Sequence, residues 1–189
     1  MSWVITGSEK TPVDPQFGSV SLLLHGNGAN GSTTITDSSR FANTVTAVGN
    51  AQISTAQSKF GGSSLLFDGT GDRLTIPSST DFAFGTGDFT VEAWVYEASR
   101  TTYPSVLEIG NHLLNTGIIF ITNGSPGAGI YSDGFFAATT AGSLSTWNHY
   151  AWVRSGNFVR TYVNGVGGTA ASFTNSLTNT ATVTIGSVG

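Results

Sequence analysis

Residues 147–168 read WNHYAWVRSGNFVRTYVNGVGG, and this stretch carries the strongest fold signal in the chain. Two runs rich in β-branched and aromatic residues, at about 147–154 and 158–163, flank a Ser-Gly-Asn turn. The second run ends in an Asn-Gly pair at 164–165, and Asn-Gly accepts the positive φ that both central positions of a type I′ turn require. We therefore predict an antiparallel meander whose third strand occupies about 166–172.

The rest of the chain repeats this pattern of short strands separated by turn residues. Only 10% of the residues are charged, whereas 39% are hydrophobic and 25 are Gly, and no window has the 3.6-residue period of an amphipathic helix. This punctuation predicts an all-β, two-sheet antiparallel sandwich of the jelly-roll type. The further strand candidates are SVSLLLH, NTVTAVG, AQISTA, SSLLFDG, DRLTIP, DFTVEAWVYE, PSVLEIG, TGIIFITN, AGIYSDG and ATVTIGS.

DFTVEAWVYE, residues 88–97, is the best candidate for a central strand. Strand alternation sends one set of side chains to the core and the other set to the opposite face. The predicted core set is Phe89, Val91, Ala93 and Val95, and the opposite set is Thr90, Glu92, Trp94 and Tyr96. A face that combines Glu, Trp and Tyr is either a binding face or a face covered by loops, and the residue pattern favours the covered face.

The charge balance and the composition exclude several classes of function. The net charge is -4, and the seven Lys and Arg residues are scattered, so no basic patch is available for a nucleic-acid backbone. No apolar run reaches the length of a membrane helix. The sequence has no Cys, which excludes thiol catalysis, Cys-based zinc sites and iron–sulfur clusters. Neither a G-x-S-x-G elbow nor a phosphate-binding G-x-x-x-x-G-K-[ST] loop is present.

Residues 1–18 differ from the remainder in having two prolines and no alternation after Ile5. We interpret them as an extended N-terminal arm. Such an arm is either a loosely held terminus or a segment that packs on a neighbouring subunit. In the second case Trp3, Val4 and Ile5 are the candidates for partner contact.

Two loops contain the oxygen-bearing side chains that a calcium ion would use. The first follows the segment at 19–25 and the second follows SSLLF, and the candidate ligands are Asn27, Asn30, Asp37, Asp68 and Asp72. Calcium takes six to eight oxygen ligands, so these loops could supply part of a site. Asp and Asn beside Gly are equally common turn formers, and the stretch 68–72 then needs Gly69 and Gly71 for its backbone. We expect no cofactor to be required, with Ca²⁺ as the one candidate.

Several motifs in order resemble the laminin G-like domains of the concanavalin A-like lectin/glucanase superfamily. They are KFGGSSLLFDGTGDRLTIP, DFTVEAWVY, WNHYAWVRSGNFVRTYVNG and TVTIGS, and the opening SVSLLLHGNGANGSTTITDSS is similar to the variant found in bacteriophage tail and other virion proteins. The resemblance implies a jelly-roll sandwich over residues 19–189. Such domains usually close with a further strand after IGS, so we expect that strand to lie outside the given sequence.

The resemblance also frames the question of activity. Glucanases of the superfamily carry an E-x-D-x-(x)-E strand motif with two neighbouring carboxylates. Here Glu92 and Glu97 are five residues apart, so they should face opposite sides of a strand, and Glu108 lies on another strand. We therefore expect no enzyme activity. We expect His149, in WNHYAW, to be a packed, hydrogen-bonded structural residue.

The function implied by the resemblance is that of a non-enzymatic bacteriophage virion component in capsid decoration, tail or fibre. Its expected partners are other virion proteins and a host-surface glycan, in a homo-oligomer or multicopy assembly on the virion surface. Sugar sites use aromatic platforms, and the glycan-binding candidates are Tyr103, Tyr131, Phe135 and Phe136, with Trp147 as a further aromatic candidate. The alternatives are a secreted or cell-surface carbohydrate-binding module and a glycan hydrolase.

Overall fold

A computed structural model describes residues 14–100, 104–113, 117–122, 128–131, 135–178 and 182–186. These residues form β-strands joined by turns, with two short 3₁₀ helices at Phe17–Ser19 and Thr80–Phe82. The strands are β1 Thr46–Val48, β2 Gln52–Ser54, β3 Ser64–Leu66, β4 Arg73–Ile76, β5 Phe89–Tyr96, β6 Ser105–Ile109, β7 Ile118–Ile121, β8 Ala128–Tyr131, β9 Phe135–Thr139, β10 Trp147–Ser155, β11 Phe158–Val163, β12 Val166–Gly167, β13 Ala171–Ser172 and β14 Val183–Ile185.

The strands form two main antiparallel sheets that enclose the larger of two apolar clusters, and the smaller one comprises Ile35, Ala51, Ile53 and Leu74. One sheet has seven strands in the order β1-β4-β14-β6-β7-β8-β9, and the other has the order β12-β11-β10-β5 with β13 also paired to β11. A small third sheet pairs β2 with β3. The core between the sheets includes Trp152 and Tyr150 from one sheet and Phe120 and Ile130 from the other. The predicted all-β jelly-roll sandwich is therefore confirmed.

The predicted hairpin is present with both of its turns. Ser155 pairs with Phe158 across the first turn, and Asn164 and Gly165 have φ values of 51° and 82° in the second. The predicted third strand is different, because it divides into β12 and β13. The backbone between them packs tightly against β9, where a Cβ placed on Gly168 would lie 2.1 Å from the carbonyl oxygen of Ala138. The Gly168 N–H still donates to the Thr161 carbonyl of β11 at 2.9 Å, so the chain between β12 and β13 stays beside β11 without forming a continuous strand.

The prediction of a strand at SVSLLLH, residues 19–25, is wrong. This segment makes only one isolated bridge, between Leu24 and Asp37. The Leu23 N–H donates to the carboxylate of Asp37, and the Leu23 carbonyl accepts from the Ser38 N–H. The Asp37 side chain therefore binds the Leu23 N–H, which would otherwise donate to a neighbouring strand. The arm residues Trp3, Val4 and Ile5 lie outside the described residues, and the end of the proposed arm is a 3₁₀ helix rather than extended chain.

The predicted alternation of β5 is confirmed. Phe89 is buried, and Val91 and Val95 pack against the core, whereas Glu92 and Trp94 on the opposite face are exposed.

Within the described parts of the chain, no helix is long and apolar enough to cross a membrane.

Arg154 fixes the start of β5 to the segment that follows β13. Its side chain is buried, and its nitrogens donate to the carbonyl oxygens of Gly156, Gly85, Asn175 and Phe173 at 3.1, 3.1, 2.9 and 3.4 Å. Burial lowers the pKa of this guanidinium from its usual value. Because a buried cation must be matched by acceptors, these carbonyls and the arginine hold one another in place.

Candidate functional site

Aromatic side chains line one end of the face of the β5–β10 pair that points away from the core. We call this surface the outer face. Tyr96 lies opposite Trp147, and Trp94 lies opposite His149 in the register of the two strands. The ring centroids are 5.7 Å apart in the first pair and 5.2 Å apart in the second. Cross-strand neighbours on one face contact each other directly, so the four rings form two pairs that lie two residues apart along the same face.

The loop between β2 and β3 adds two more side chains to this surface. The Nζ atom of Lys59 lies 4.1 Å from the centroid of the Trp94 ring. The Phe60 and Trp94 rings are nearly perpendicular, with their centroids 5.9 Å apart. We call Lys59, Phe60, Trp94, Tyr96, Trp147 and His149 the aromatic cluster. Trp94 is 40% exposed and Phe60 is 66% exposed. The favoured interpretation of a covered face is therefore wrong for Trp94, because the loop borders the indole without burying it.

Polar groups border the aromatic cluster. The Oε2 atom of Glu92 lies 3.4 Å from Nε2 of His149, and the Glu92 side chain is 65% exposed. Asn164 holds the His149 backbone by accepting from its N–H at 2.9 Å and donates its own amide to Asn148 at 3.0 Å. His149 was expected to be a packed, hydrogen-bonded structural residue, and its ring does pack against Trp94, on the outer face, where it is 28% exposed. An exposed indole beside a carboxylate and an imidazole can stack on an apolar ring face and bind hydroxyl groups.

A shallow cavity of about 440 Å³ lies on the outer face towards β11. Its lining includes Phe158, Arg160 and Tyr162 together with Val153 and Ala170. The guanidinium of Arg160 stands 6.0 Å from the centroid of the Tyr162 ring, and Phe158 is 57% exposed. The outer face thus offers aromatic surface at one end and a concave apolar patch with one cation at the other.

The structure separates the predicted glycan-binding residues from this surface. Tyr131 and Phe135 face each other in the register of β8 and β9, and Phe136 follows in β9, so all three belong to the seven-stranded sheet. Tyr103 lies outside the described residues. Trp147 is part of the aromatic cluster. Lys59 and Phe60 were missed, because no local pattern links their loop to a strand that begins 29 residues after Phe60.

The carboxylate of Asp37 is fully occupied by protein donors. It accepts from the N–H groups of Leu23, Ser39 and Asn43, from the Ser39 hydroxyl and from the Asn43 amide, all at 2.8 or 2.9 Å. Burial acts to raise the pKa of Asp37, but the three N–H groups and the hydroxyl outweigh it and lower the pKa to about 2. Asp37 therefore acts as a brace between chain segments, with little capacity left for a metal.

The other predicted metal ligands also bind their own loops. Asp72 accepts from the N–H groups of Asn50 at 2.7 Å and Asp68 at 2.9 Å. Hydrogen bonds from the Thr70 N–H and the Asn50 amide lower the pKa of Asp68. The turn interpretation of residues 68–72 is confirmed, since Gly69 and Gly71 have φ values of 86° and 74°.

Asn30 and Asn27 complete the set of predicted ligands. The Oδ1 atom of Asn30 accepts from the Thr55 N–H at 3.0 Å, whereas Asn27 lines a separate pocket of about 230 Å³ that also includes His25 and Ile53. In the portion of the chain that the structure describes, no three His, Asp or Glu side chains come together as a metal cluster.

The carboxylates considered for catalysis do not converge. Glu92 is exposed on the outer face, whereas Glu97 is buried and accepts from Thr122 at 2.6 Å and from Arg100 at 2.5 Å. Their predicted placement on opposite sides is confirmed. Glu108 lies 2.6 Å from Nδ1 of His112 in a separate pair on the seven-stranded sheet.

Solved structures of other proteins share this fold. The chain is similar over 79% of its length, with 19% identity and a TM-score of 0.63, to domain 4 of AbnA, a GH43 extracellular arabinanase from Geobacillus stearothermophilus solved in complex with arabinotriose, of which 76% is covered.

The chain is also similar to the binding domain of botulinum neurotoxin DC in complex with SialylT, with 11% identity, a TM-score of 0.51 and coverage of 87% of this chain. A structure of botulinum neurotoxin type C, whose cell entry depends on two ganglioside molecules, gives 10% identity, a TM-score of 0.51 and coverage of 91%. The chain spans less than half the length of these toxin chains, at 42% and 44%.

The curated proteins give no match. The family Laminin_G_3, described as the Concanavalin A-like lectin/glucanases superfamily, matches residues 68–188. These residues are more than half of the 189 in the chain. The chain therefore belongs to the laminin G-like family of the Concanavalin A-like lectin/glucanases superfamily.

Proposed function

We propose that this domain binds carbohydrate through its outer face as a non-enzymatic adhesion module. The observation that carries the proposal is the exposed indole of Trp94, which is 40% accessible although it sits mid-strand on a regular sheet. An exposed indole that neighbours other aromatic rings forms an apolar patch that a ligand can cover, and a sugar ring offers a flat C–H surface of matching size.

The surroundings of Trp94 support a polar, ring-shaped ligand. Lys59 supplies a donor over the indole, and Glu92, two residues away on the same face of β5, supplies an acceptor beside the ring nitrogen of His149. Sugar hydroxyls need such convergent donors and acceptors next to an apolar platform. The Arg160 and Tyr162 cavity lies on the same face and offers a second surface for a longer oligosaccharide.

The similar structures support the same ligand class. The arabinanase domain was solved with arabinotriose, one toxin binding domain was solved with SialylT, and the other toxin structure concerns two ganglioside molecules. Those ligands belong to those proteins. We therefore include arabinotriose, SialylT and gangliosides among the probes.

We propose further that the domain works without catalysis and without a required cofactor. Glu92 and Glu97 point to opposite sides of the sheet, so they cannot act together on one glycosidic bond. Calcium remains a proposed ligand of the loops around Asp68 and Asp72, and binding should be measured with and without it.

The proposed setting is the surface of a bacteriophage virion, in contact with other virion proteins and with a host glycan. Its support is the resemblance of SVSLLLHGNGANGSTTITDSS, residues 19–39, to virion variants of the domain. An antibody against the domain should label intact particles in electron micrographs. Labelling of the producing cell surface alone would favour a secreted or cell-surface binding module instead.

The test of carbohydrate binding is a glycan array, followed by titration calorimetry on the best probe in calcium and in chelator. Trp94→Ala should weaken binding about tenfold or more. Phe17→Ala is the control, because Phe17 is similarly exposed, at 39%, but belongs to the 3₁₀ helix Phe17–Ser19 and to none of the strands of the outer face. The proposal fails if no glycan binds under either condition, or if both variants bind like the parent protein.

A further inference from the structure

The cavity on the outer face towards β11 lies where the ladder beside β11 is irregular. The Gly168 N–H donates to the carbonyl of Thr161, whereas Ala171 pairs with Val159. Between these two connections Arg160 therefore stands opposite two residues instead of one. Two residues opposite one form a β-bulge, which proteins place beside functional sites, where it changes the direction of a side chain.

The side chains of Arg160 and Tyr162 are held against the backbone of β12. A Cβ placed on Gly167 would lie 2.8 Å from Cε1 of Tyr162 and 3.2 Å from Cδ of Arg160. The glycine therefore lets the phenol ring and the arginine stem pack directly on the neighbouring strand. Because contacts already restrict the stem, less conformational freedom is lost when the guanidinium binds a ligand.

The guanidinium of Arg160 has no carboxylate partner in the parts of the chain that the structure describes, and its one side-chain interaction there is with the Tyr162 ring. Asp88, at the start of β5, accepts from the N–H of residue 156 at 2.7 Å, and Glu92 lies against His149. A guanidinium presents a planar fork of donors that matches a carboxylate. Arg160 can therefore bind an anionic ligand.

The side chains around this cation are mainly apolar. Val153, Ala170 and the 57% exposed ring of Phe158 line the cavity, and the polar side chains beside them are those of Ser155 and Tyr162. A concave apolar surface with one cation fits a ring that combines C–H groups with one carboxylate. Uronic and sialic acids have both features, because each carries a carboxylate on a sugar ring.

Arg160 and Trp94 are too far apart for one sugar ring to contact both. Trp94 pairs with His149 and Arg160 pairs with Val153, so Arg160 lies two strands across and four residues along the face. With about 4.8 Å between strands and about 3.4 Å per residue, the separation is about 17 Å. Ala151 lies on the strand between them, and its small side chain leaves the path low. A glycan of several residues can therefore reach both positions.

We propose that the Arg160 cavity binds the carboxylate of an acidic oligosaccharide whose neutral part stacks on Trp94. This inference rests on the proposed carbohydrate binding, and it adds the charge of the ligand and its direction on the face. At the Trp94 end the charges of Lys59 and Glu92 offset each other. At the other end Arg160 has no such counter-charge among the described residues, so it sets the position of the anionic group.

The test is titration calorimetry of the full chain with two acidic glycans, SialylT and trigalacturonate, and with their carboxyl-reduced forms. Each reduced form keeps the same rings but has an alcohol in place of the carboxylate. The parent protein should bind at least one acidic glycan about tenfold or more tightly than its reduced form. Arg160→Gln should lose this preference and bind both forms about as weakly as the parent binds the reduced form, because the partner of the carboxylate is gone.

Arg40→Gln is the matched control and should leave the preference unchanged. Arg40 is another exposed arginine beside an aromatic ring, 4.6 Å from the Phe41 centroid, but it belongs to none of the strands of the outer face.

The outcomes separate this inference from the proposed function. Equal binding of the acidic and reduced forms, or a preference that survives in Arg160→Gln, would overturn the inference. If that binding is still weakened by Trp94→Ala, the proposed carbohydrate binding stands. Competition by a hexaglutamate peptide as strong as by the acidic glycan would also overturn the inference, since it would assign Arg160 to a protein ligand. If neither these probes nor any glycan of the array binds, the inference and the proposed function fail together.

Discussion

Replacement of Asp37 by Asn should destabilise the domain in a way that depends on pH. The carboxylate is buried and receives five hydrogen bonds from Leu23, Ser39 and Asn43, which join the segment before Asp37 to the segment after it. An amide of the same shape retains one acceptor oxygen. Its NH₂ group would oppose the donors of Ser39 and Asn43, so buried donors would lose their partner.

The pKa of Asp37 gives the magnitude. The pKa lies at about 2 in the folded protein against an ordinary value of 3.8. This difference corresponds to about 2 kcal/mol of stability, since a factor of ten in protonation is about 1.4 kcal/mol. Because the folded pKa is lowered, the contribution is present above the unfolded pKa. It is lost as the pH falls from about 4 to about 2.

Urea denaturation of the parent and of Asp37→Asn, repeated from neutral pH to about pH 2, measures this contribution. The variant should be less stable by about 2 kcal/mol at neutral pH, and the gap should narrow as Asp37 of the parent becomes protonated. Asp68→Asn is the control, because Asp68 is exposed and should give a much smaller effect. A neutral-pH difference below about 0.5 kcal/mol, or a gap that is unchanged at the lowest pH, would refute the argument.

Two further predictions concern the buried side chain of Arg154 and the backbone at Gly49. Arg154→Met should lower the free energy of unfolding by about 3 kcal/mol or more, because the carbonyls of Gly85 and Asn175 lose a buried donor. Chemical denaturation measures this loss, and an unchanged midpoint would contradict the prediction. Gly49→Ala should destabilise more than Gly69→Ala. Both sites have positive φ, but only at Gly49 would the new Cβ clash, because it would lie 2.4 Å from Oδ1 of Asp72. Thermal melts of the two variants compare their stabilities.

Local chemistry in the sequence determined most of the strands. The Asn164-Gly165 turn and the alternation of residues 88–97 depend on neighbours in the chain, and both are present as predicted. The turn at 68–72 was also predictable, because only Gly accepts its backbone angles readily. The placement of Glu92 and Glu97 on opposite sides also followed from strand periodicity, since their positions differ by an odd number of residues.

The tertiary structure alone decided how side chains distant in sequence meet. Leu23 was expected to lie in a strand, but the carboxylate of Asp37 captures its N–H. Trp94 was expected to be covered, but the loop that carries Lys59 and Phe60 only borders its ring. Turn chemistry and periodicity act over a few residues, whereas these contacts depend on the packing of whole strands and loops, which no local pattern encodes.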